Sequence, residues 1–203
     1  METHVTFKAR DVTLEGLLYQ GDAKRAAIIL HPHPVYGGNM NNHVVETIAR
    51  AYQQKGWTTL RFNFRGAGDS GGVYDHGIGE RKDVGGAIGF LQTKGIEQLD
   101  LVGYSFGAWV LAGWTQDHPN HGFRIILLAP PVDFLDFSDI HLISGLHAVI
   151  IGRQDEFAPV GRVQTQLTRW SDTVGLSVIS EGDHFFASGI AELEQAVLEY
   201  LQG

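Results

Sequence analysis

The sequence predicts an α/β protein with a mostly parallel sheet and helices on both faces, because short apolar segments alternate with amphipathic ones along the chain. The apolar segments are rich in β-branched residues and have the length of strands, whereas the amphipathic segments have the length of helices. A composition of 43% apolar and 19% charged residues is typical of a globular protein. The 26 glycines cluster between apolar segments, which favours tight turns between strands and helices.

The first two strands are expected to form an antiparallel pair, and the later ones, separated by helices, are expected to be parallel. The predicted strands are 4–9, 12–20, 26–30, 57–66, 99–105, 124–131, 146–155 and 176–182. The predicted helices are 42–55, 80–94, 106–118, 160–170 and 190–201. The sequence contains no internal repeat, low-complexity tract or domain-sized linker, so we expect one domain over residues 1–203.

Charge and cysteine content exclude several functions. The chain has 15 basic and 23 acidic residues, a formal charge of −8 with no basic cluster, so neither nucleic acid nor an anionic membrane is an expected partner. It has no cysteine, which excludes disulfides and thiol nucleophiles. Residues 1–16 alternate like a strand rather than like a signal peptide, and no apolar segment is long enough to span a bilayer. We therefore expect a soluble, cytoplasmic protein.

A serine lies at the junction between a predicted strand and a predicted helix. The segment Gly103-Tyr-Ser105-Phe-Gly107 matches the G-x-S-x-G pattern, in which a sharp turn presents a serine hydroxyl above the sheet. Side chains two residues to either side would collide with neighbouring backbone, so glycine is needed there. Without the strand and helix around it, the pattern would indicate only a turn. In this context it predicts Ser105 as a nucleophile.

A serine nucleophile needs a base, and for this strand–turn–helix context the partners follow in the order serine, acid, histidine. His184 is the only histidine after Asp155, and it follows the last predicted strand. Asp155 ends the preceding predicted strand, so its carboxylate is expected to orient the imidazole. Two alternatives for the acid stay open, Asp133 and Glu156, and Asp155 is otherwise expected to cap the following helix. The carboxyl ends of parallel strands share one edge, where these residues are expected to meet.

An oxyanion formed at Ser105 requires backbone N–H donors. The first is expected from Phe106, directly after the serine, and the second from the loop at 31–38. The two prolines of that loop lack an N–H, so His33 is the preferred second donor, with Val35 and Tyr36 as alternatives.

Two further patterns suggest ligands only weakly. The His31-x-His33 spacing is found in metal sites, but no further carboxylate or histidine follows closely, so we expect no metal and a hydrogen bond from His31 to loop backbone. Residues 66–71 match G-x-G-x-x-G after a strand, but the following glycines favour loop rather than helix. We therefore expect a turn there and no dinucleotide.

Taken together, five segments resemble the α/β-hydrolase superfamily: GYSFG, GRQDEFAP, GDHFF, HPHPVYGGNMNNHVV and LRFNFRGAGDSGG. The last two are similar to a small, lidless bacterial subgroup near the dienelactone-hydrolase-like and acyl-peptidase-like enzymes. The resemblance implies an eight-stranded, mostly parallel sheet and two-step acyl transfer through an acyl-enzyme. It implies the nucleophile, acid and base roles for Ser105, Asp155 and His184, and oxyanion donors at Phe106 and His33. We expect no cofactor.

The segment 132–144 is too short for a large lid, so an exposed pocket is expected. Five phenylalanines are candidates to line it: Phe134, Phe137, Phe157, Phe185 and Phe186. Among the candidates for substrate contact are Tyr36, Phe157 and Phe185.

These observations predict a serine hydrolase that cleaves carboxylic esters or thioesters of small soluble substrates. The alternatives are a peptidase or amidase with the same residues, or a non-catalytic binding protein of the same fold. The acyl group, the alcohol and the oligomeric state stay open.

Overall fold

The computed structural model describes residues 1–120 and 122–201. Within them lie eight strands and five α-helices. The strands are β1 (Glu2–Ala9), β2 (Val12–Tyr19), β3 (Arg25–Leu30), β4 (Thr58–Phe62), β5 (Gln98–Tyr104), β6 (Arg124–Leu128), β7 (Leu146–Gly152) and β8 (Leu176–Ile179). The helices are α1 (His43–Gln54), α2 (Ile78–Gln92), α3 (Phe106–Asp117), α4 (Val160–Trp170) and α5 (Ile190–Tyr200), and a short 3₁₀ turn spans Pro34–Tyr36.

All eight strands form one sheet in the order β1-β2-β4-β3-β5-β6-β7-β8. Only β2 is antiparallel to its neighbours, β1 and β4; the pairs from β4 through β8 are parallel. The predicted mostly parallel, eight-stranded sheet is therefore confirmed. Parallel neighbours place the carboxyl ends of β3 and β5 to β8 at one edge.

The sheet separates two apolar layers. Successive residues of β3 alternate between them: Ile28 and Leu30 belong to the layer under α2, α3 and α4, whereas Ala27 and Ile29 belong to the layer under α1 and α5. All four side chains are fully buried. Because strand side chains alternate in direction, a strand covered on both faces must be apolar at every position, as β3 is.

Four strands end at least three residues before their predicted ends: β4, β6, β7 and β8. The strand predicted at 57–66 ends at Phe62, and the one predicted at 124–131 ends at Leu128. Phe62 pairs with Leu30, the last residue of β3, so no parallel neighbour continues beyond it. Leu128 is likewise the last residue of β6 to pair with β7, and two prolines follow within three residues. The apolar pattern continues past both ends because the next residues are buried in loops rather than in the sheet.

The segment between β6 and β7 forms no large lid, as predicted. In residues 129–145 the chain makes turns and no helix. Phe137, Ile140 and Ile143 are buried against the core, and the N–H of Ile143 donates to the carbonyl of Trp170. The second half of this segment therefore packs against the core and does not extend over the sheet edge as a lid.

Candidate active site

The turn between β5 and α3 holds Ser105 in an uncommon backbone conformation, with φ 54° and ψ −117°. A Cβ at Gly103 would lie 2.5 Å from the carbonyl oxygen of Gly107. A Cβ at Gly107 would lie 2.7 Å from the carbonyl oxygen of Leu30. Glycine is therefore required on both sides because the turn brings α3 against the ends of two strands. The result is that Ser105 stands directly before the first turn of α3.

Three side chains from separate loops form a series of hydrogen bonds at the carboxyl edge of the sheet. Ser105 Oγ lies 2.8 Å from His184 Nε2. His184 Nδ1 lies 2.9 Å and 2.8 Å from the two carboxylate oxygens of Asp155. A carboxylate only accepts hydrogen bonds, so Nδ1 carries the proton and Nε2 is left as the acceptor for the serine hydroxyl. All three residues are at least 93% buried, but Ser105 and His184 still line an open cleft.

The carboxylate of Asp155 is oriented by its own turn. Its Oδ1 accepts hydrogen bonds from the N–H groups of Phe157 (2.9 Å) and Ala158 (2.7 Å). The alternatives for the acid lie elsewhere: Glu156 is exposed, and Asp133 accepts a 2.8 Å hydrogen bond from Arg162. Of the three candidates, the structure brings only Asp155 to His184.

The loop after β3 leaves one of the three candidate N–H groups free. The N–H of Val35 donates to His33 Nδ1 at 3.3 Å, and the N–H of Tyr36 donates to the carbonyl of His33 at 3.1 Å. Among the described residues, no acceptor receives the N–H of His33 or that of Phe106. Both N–H groups are therefore unused within the described fold.

The imidazole of His33 is held among aromatic rings. Its ring centroid lies 4.6 Å from that of Phe106 and 5.1 Å from that of Tyr74. Because Nδ1 accepts from Val35, Nε2 carries the proton and donates to the Tyr74 hydroxyl at 3.3 Å. Burial lowers the pKa of His33 below its ordinary value, with a smaller contribution from His76. The neutral imidazole of His33 therefore stabilises the loop after β3 through these hydrogen bonds and ring contacts.

His31 hydrogen-bonds backbone, as the sequence predicted. It is fully buried; Nε2 accepts from the N–H of Phe64 at 3.0 Å, and Nδ1 lies 2.6 Å from the carbonyl oxygen of Pro32. Burial lowers its pKa to about 4. Both ring nitrogens are thus engaged. In the described part of the chain, no three His, Asp or Glu side chains are grouped so as to hold a metal ion.

The glycine-rich segment after β4 forms a turn, and the carboxylate of Glu15 accepts hydrogen bonds from this segment. Oε1 of Glu15 accepts from the N–H of Asp69 at 2.7 Å and from Asn63 Nδ2 at 2.6 Å. Gly68 has φ 53°, and a Cβ there would meet both Glu15 and Asn63. A phosphate would be repelled by Glu15 and would compete with it for the same N–H group.

A cleft of about 590 Å³ opens beside Ser105. Its largest apolar side chains are Tyr36, Tyr104, Pro131, Phe134, Phe157 and Phe185. Tyr36, Phe157 and Phe185, the predicted substrate contacts, therefore all line it. Two other phenylalanines do not: Phe137 and Phe186 are 2% and 0% exposed and belong to the core. In the sequence, Phe137 and Phe186 look the same as the phenylalanines that line the cleft. Only the packing of the loops shows which ring faces the cleft and which is buried in the core.

Tyr104 lines the cleft and was not singled out from the sequence. It occupies the variable position before Ser105, and its hydroxyl donates to the carbonyl of His184 at 2.9 Å. The available signal was a tyrosine at the end of a strand predicted to be buried, since a buried phenol needs a hydrogen-bond partner.

The Ser–His–Asp series of hydrogen bonds is the arrangement found in serine hydrolases, a class that carries it on several unrelated folds. Comparison with known proteins agrees. A protein-family model described as alpha/beta hydrolase fold matches residues 33–146. An uncharacterised protein of Rickettsia prowazekii (strain Madrid E) is 33% identical over an alignment of 213 positions. The match covers 97% of this chain and 87% of that protein.

Two solved structures are similar over nearly their whole length. An alpha-beta serine hydrolase homologue from Coxiella burnetii has a TM-score of 0.87 at 31% identity, covering 98% of this chain and 97% of that one. A Xanthomonas campestris protein described as an a/b serine hydrolase without lid has a TM-score of 0.88 at 29% identity, covering 99% and 94%. The chain belongs to the alpha/beta hydrolase fold family, and this membership supports a hydrolase. No helix in residues 1–120 and 122–201 is long and apolar enough to cross a bilayer.

Proposed function

We propose that this protein hydrolyses carboxylic esters or thioesters of small soluble substrates through an acyl-enzyme on Ser105. The observation that carries the proposal is the 2.8 Å contact between Ser105 Oγ and His184 Nε2 at the floor of an open cleft, with Asp155 on the other imidazole nitrogen. A serine hydroxyl is a weak nucleophile until a neighbouring base accepts its proton, and this geometry provides that base.

The first half of the reaction forms the acyl-enzyme. Ser105 Oγ attacks the carbonyl carbon as its proton moves to His184 Nε2, and Asp155 stabilises the resulting imidazolium. The negative charge that develops on the carbonyl oxygen is stabilised by the free N–H groups of Phe106 and His33. His184 then gives its proton to the leaving oxygen or sulfur as the bond to the acyl carbon breaks.

The second half releases the acid. A water molecule gives a proton to His184 Nε2 and attacks the acyl carbon, and the protonated His184 returns that proton to Ser105 Oγ as the ester bond breaks. The reaction thus needs only the substrate and water.

Labelling with a fluorophosphonate probe tests the nucleophile. We expect the wild type to be labelled, Ser105→Ala to be unlabelled, and Ser138→Ala, a change at an exposed serine, to be labelled like the wild type. A folded wild type that resists the probe would favour the non-catalytic binding protein.

Substrate panels test the reaction. We expect turnover of p-nitrophenyl acetate and butyrate and of an acetyl thioester, lost in Ser105→Ala. Faster turnover of aminoacyl p-nitroanilides than of esters would instead favour the peptidase or amidase.

A further inference from the structure

The cleft has a continuous aromatic wall, formed by the rings of His33, Tyr36, Phe134, Phe157 and His184. Neighbouring centroids in this order lie 4.9, 6.0, 5.6 and 4.8 Å apart. The rings come from the loops after β3, β6, β7 and β8. The aromatic wall therefore reaches from the oxyanion loop, around the cleft, to the base.

The described residues that line this cleft offer no partner of opposite charge to a charged ligand. Of the described residues that line it, none is Lys, Arg, Asp or Glu. A carboxylate or ammonium group on the substrate would lose hydration there without gaining a partner of opposite charge. The lining therefore favours an uncharged substrate.

The position of the base tells which half of the substrate meets which rings. His184 must protonate the leaving atom, so the leaving group lies beside its imidazole. Two rings flank that imidazole: Phe157 at 4.8 Å and Phe185 at 5.4 Å between centroids. These two rings are therefore placed to meet the leaving group when His184 protonates it.

Phe185 is 56% exposed although its backbone is held in place. His43 Nε2 lies 2.8 Å from the carbonyl oxygen of Phe185, and the next residue, Phe186, is fully buried. An exposed ring on an anchored backbone can cover an apolar ligand at little cost in ordering. The cleft volume of about 590 Å³ lies within the range of small-molecule sites.

We propose that the substrate is an uncharged ester or thioester whose leaving alcohol or thiol carries an apolar group the size of an aromatic ring, selected by Phe157 and Phe185. This inference rests on the proposed function, because it uses His184 as the proton donor to the leaving atom. It adds to that function the substrate class and the two residues that determine it.

Three acetate esters test the inference: methyl acetate, benzyl acetate and 4-carboxybenzyl acetate. All three form the same acetyl-enzyme, so differences in kcat/KM report recognition of the leaving group. Burial of the ring is expected to raise kcat/KM for benzyl over methyl acetate by about ten- to hundred-fold. The carboxylate is expected to lower it again by about tenfold or more. Equal values for methyl and benzyl acetate, or for the two benzyl esters, would overturn the inference.

Variants assign the preference to the two rings. Phe157→Leu and Phe185→Ala are expected to lower the benzyl-to-methyl ratio of kcat/KM at least about threefold while methyl acetate is still turned over. Leu142→Ala, a change at a 67% exposed leucine outside the cleft, is the matched control and is expected to keep the wild-type ratio. If Phe157→Leu slowed both esters equally, its ring would only position His184, and the inference would fail for that residue.

The proposed function and this inference fail in different ways. If no acetate ester is hydrolysed and no fluorophosphonate label is found, the proposed function is wrong and the inference with it. If labelling and ester hydrolysis are present but the ratio is unaffected by both variants, only the inference is wrong.

Discussion

The hydroxyl of Tyr104 donates a 2.9 Å hydrogen bond to the backbone carbonyl of His184. Tyr104 ends β5 and directly precedes Ser105, so one strand sets the position of both partners in the Ser105–His184 contact. Burial raises the pKa of Tyr104 well above its ordinary value, and the charges of Asp155 and Asp183 raise it further. The phenol therefore stays protonated and keeps donating.

Tyr104→Phe tests this relationship. Removing the hydroxyl leaves the buried carbonyl of His184 without its donor, which is expected to lower the free energy of unfolding by about 1–3 kcal/mol. A displaced imidazole is expected to lower kcat for an ester about tenfold with little change in KM. The measurements are denaturant unfolding and steady-state kinetics. Tyr200→Phe, which removes a hydroxyl that contacts Ser177, is the control and should leave kcat unchanged. Wild-type kcat in Tyr104→Phe would show that the hydrogen bond does not position the base.

Asp155→Asn is expected to lower kcat by about 10³–10⁴-fold. An amide can still accept from the N–H groups of Phe157 and Ala158, but its NH₂ group would favour the imidazole tautomer that has its proton on Nε2. Such a tautomer cannot accept the serine proton. The check is kcat for p-nitrophenyl acetate.

Asp133→Asn is the matched control, because Asp133 pairs with the exposed Arg162 instead of with His184. Its kcat is expected to stay within about twofold of the wild type, since surface ion pairs contribute little. If Asp133→Asn were the more damaging of the two changes, the assignment of the acid would be wrong.

Gly107→Ala is expected to lower the free energy of unfolding by about 1–3 kcal/mol and to reduce fluorophosphonate labelling. Its Cβ would lie 2.7 Å from the carbonyl oxygen of Leu30 and 2.9 Å from that of His31, so α3 must move away from β3. Gly85→Ala, in α2, is the control because nothing lies within 4 Å of its added Cβ. That change is expected to stabilise by about 0.5–1 kcal/mol, since alanine favours helix more than glycine. Equal stability of the two variants would contradict the close approach of α3 to β3.

His31 is expected to make stability depend on pH. Its pKa is about 4 in the folded protein against 6.5 ordinarily, because burial disfavours the charged imidazole. At pH values between about 4 and 6.5, His31 binds a proton in the unfolded chain but not in the folded protein. The stabilisation is therefore full above pH 6.5 and is lost as the pH falls towards 4. The shift corresponds to about 3 kcal/mol.

His31→Gln removes this titration while keeping an oxygen that can accept from the N–H of Phe64. Denaturant unfolding of both proteins at pH 7.5, 6, 5 and 4 gives the comparison. The free energy of unfolding of the wild type should fall more steeply with decreasing pH than that of His31→Gln. If the free energies of unfolding of the two proteins fell in parallel with decreasing pH, His31 would not contribute to the pH dependence of stability.

The helices were predictable to within two residues at each end, because Gly, Pro or polar residues lie beside those ends. For α4 the predicted range, 160–170, is the observed one. Strand ends were less predictable: Phe64 is as buried and apolar as Phe62, yet it lies in the loop after β4. An apolar pattern records burial, and burial alone does not distinguish a strand from a buried loop.

At the site, the sequence could name candidates but could not choose among equivalent ones. Phe137 and Phe157 both follow strands, and only Phe157 faces the cleft, since Phe137 packs against Trp170. Similarly, three N–H groups were open as the second oxyanion donor, and the hydrogen bonds of the folded loop occupy those of Val35 and Tyr36.

The sequence by itself determined the order of strands and helices, the parallel sheet and the glycine-flanked turn at Ser105, because these depend on patterns within a few residues. The tertiary structure alone decided that Asp155 rather than Asp133 meets His184, and that Tyr104 reaches the His184 carbonyl. Those outcomes are distances of about 3 Å between loops that are far apart along the chain. Such distances follow from how the sheet twists and packs, which no local pattern encodes.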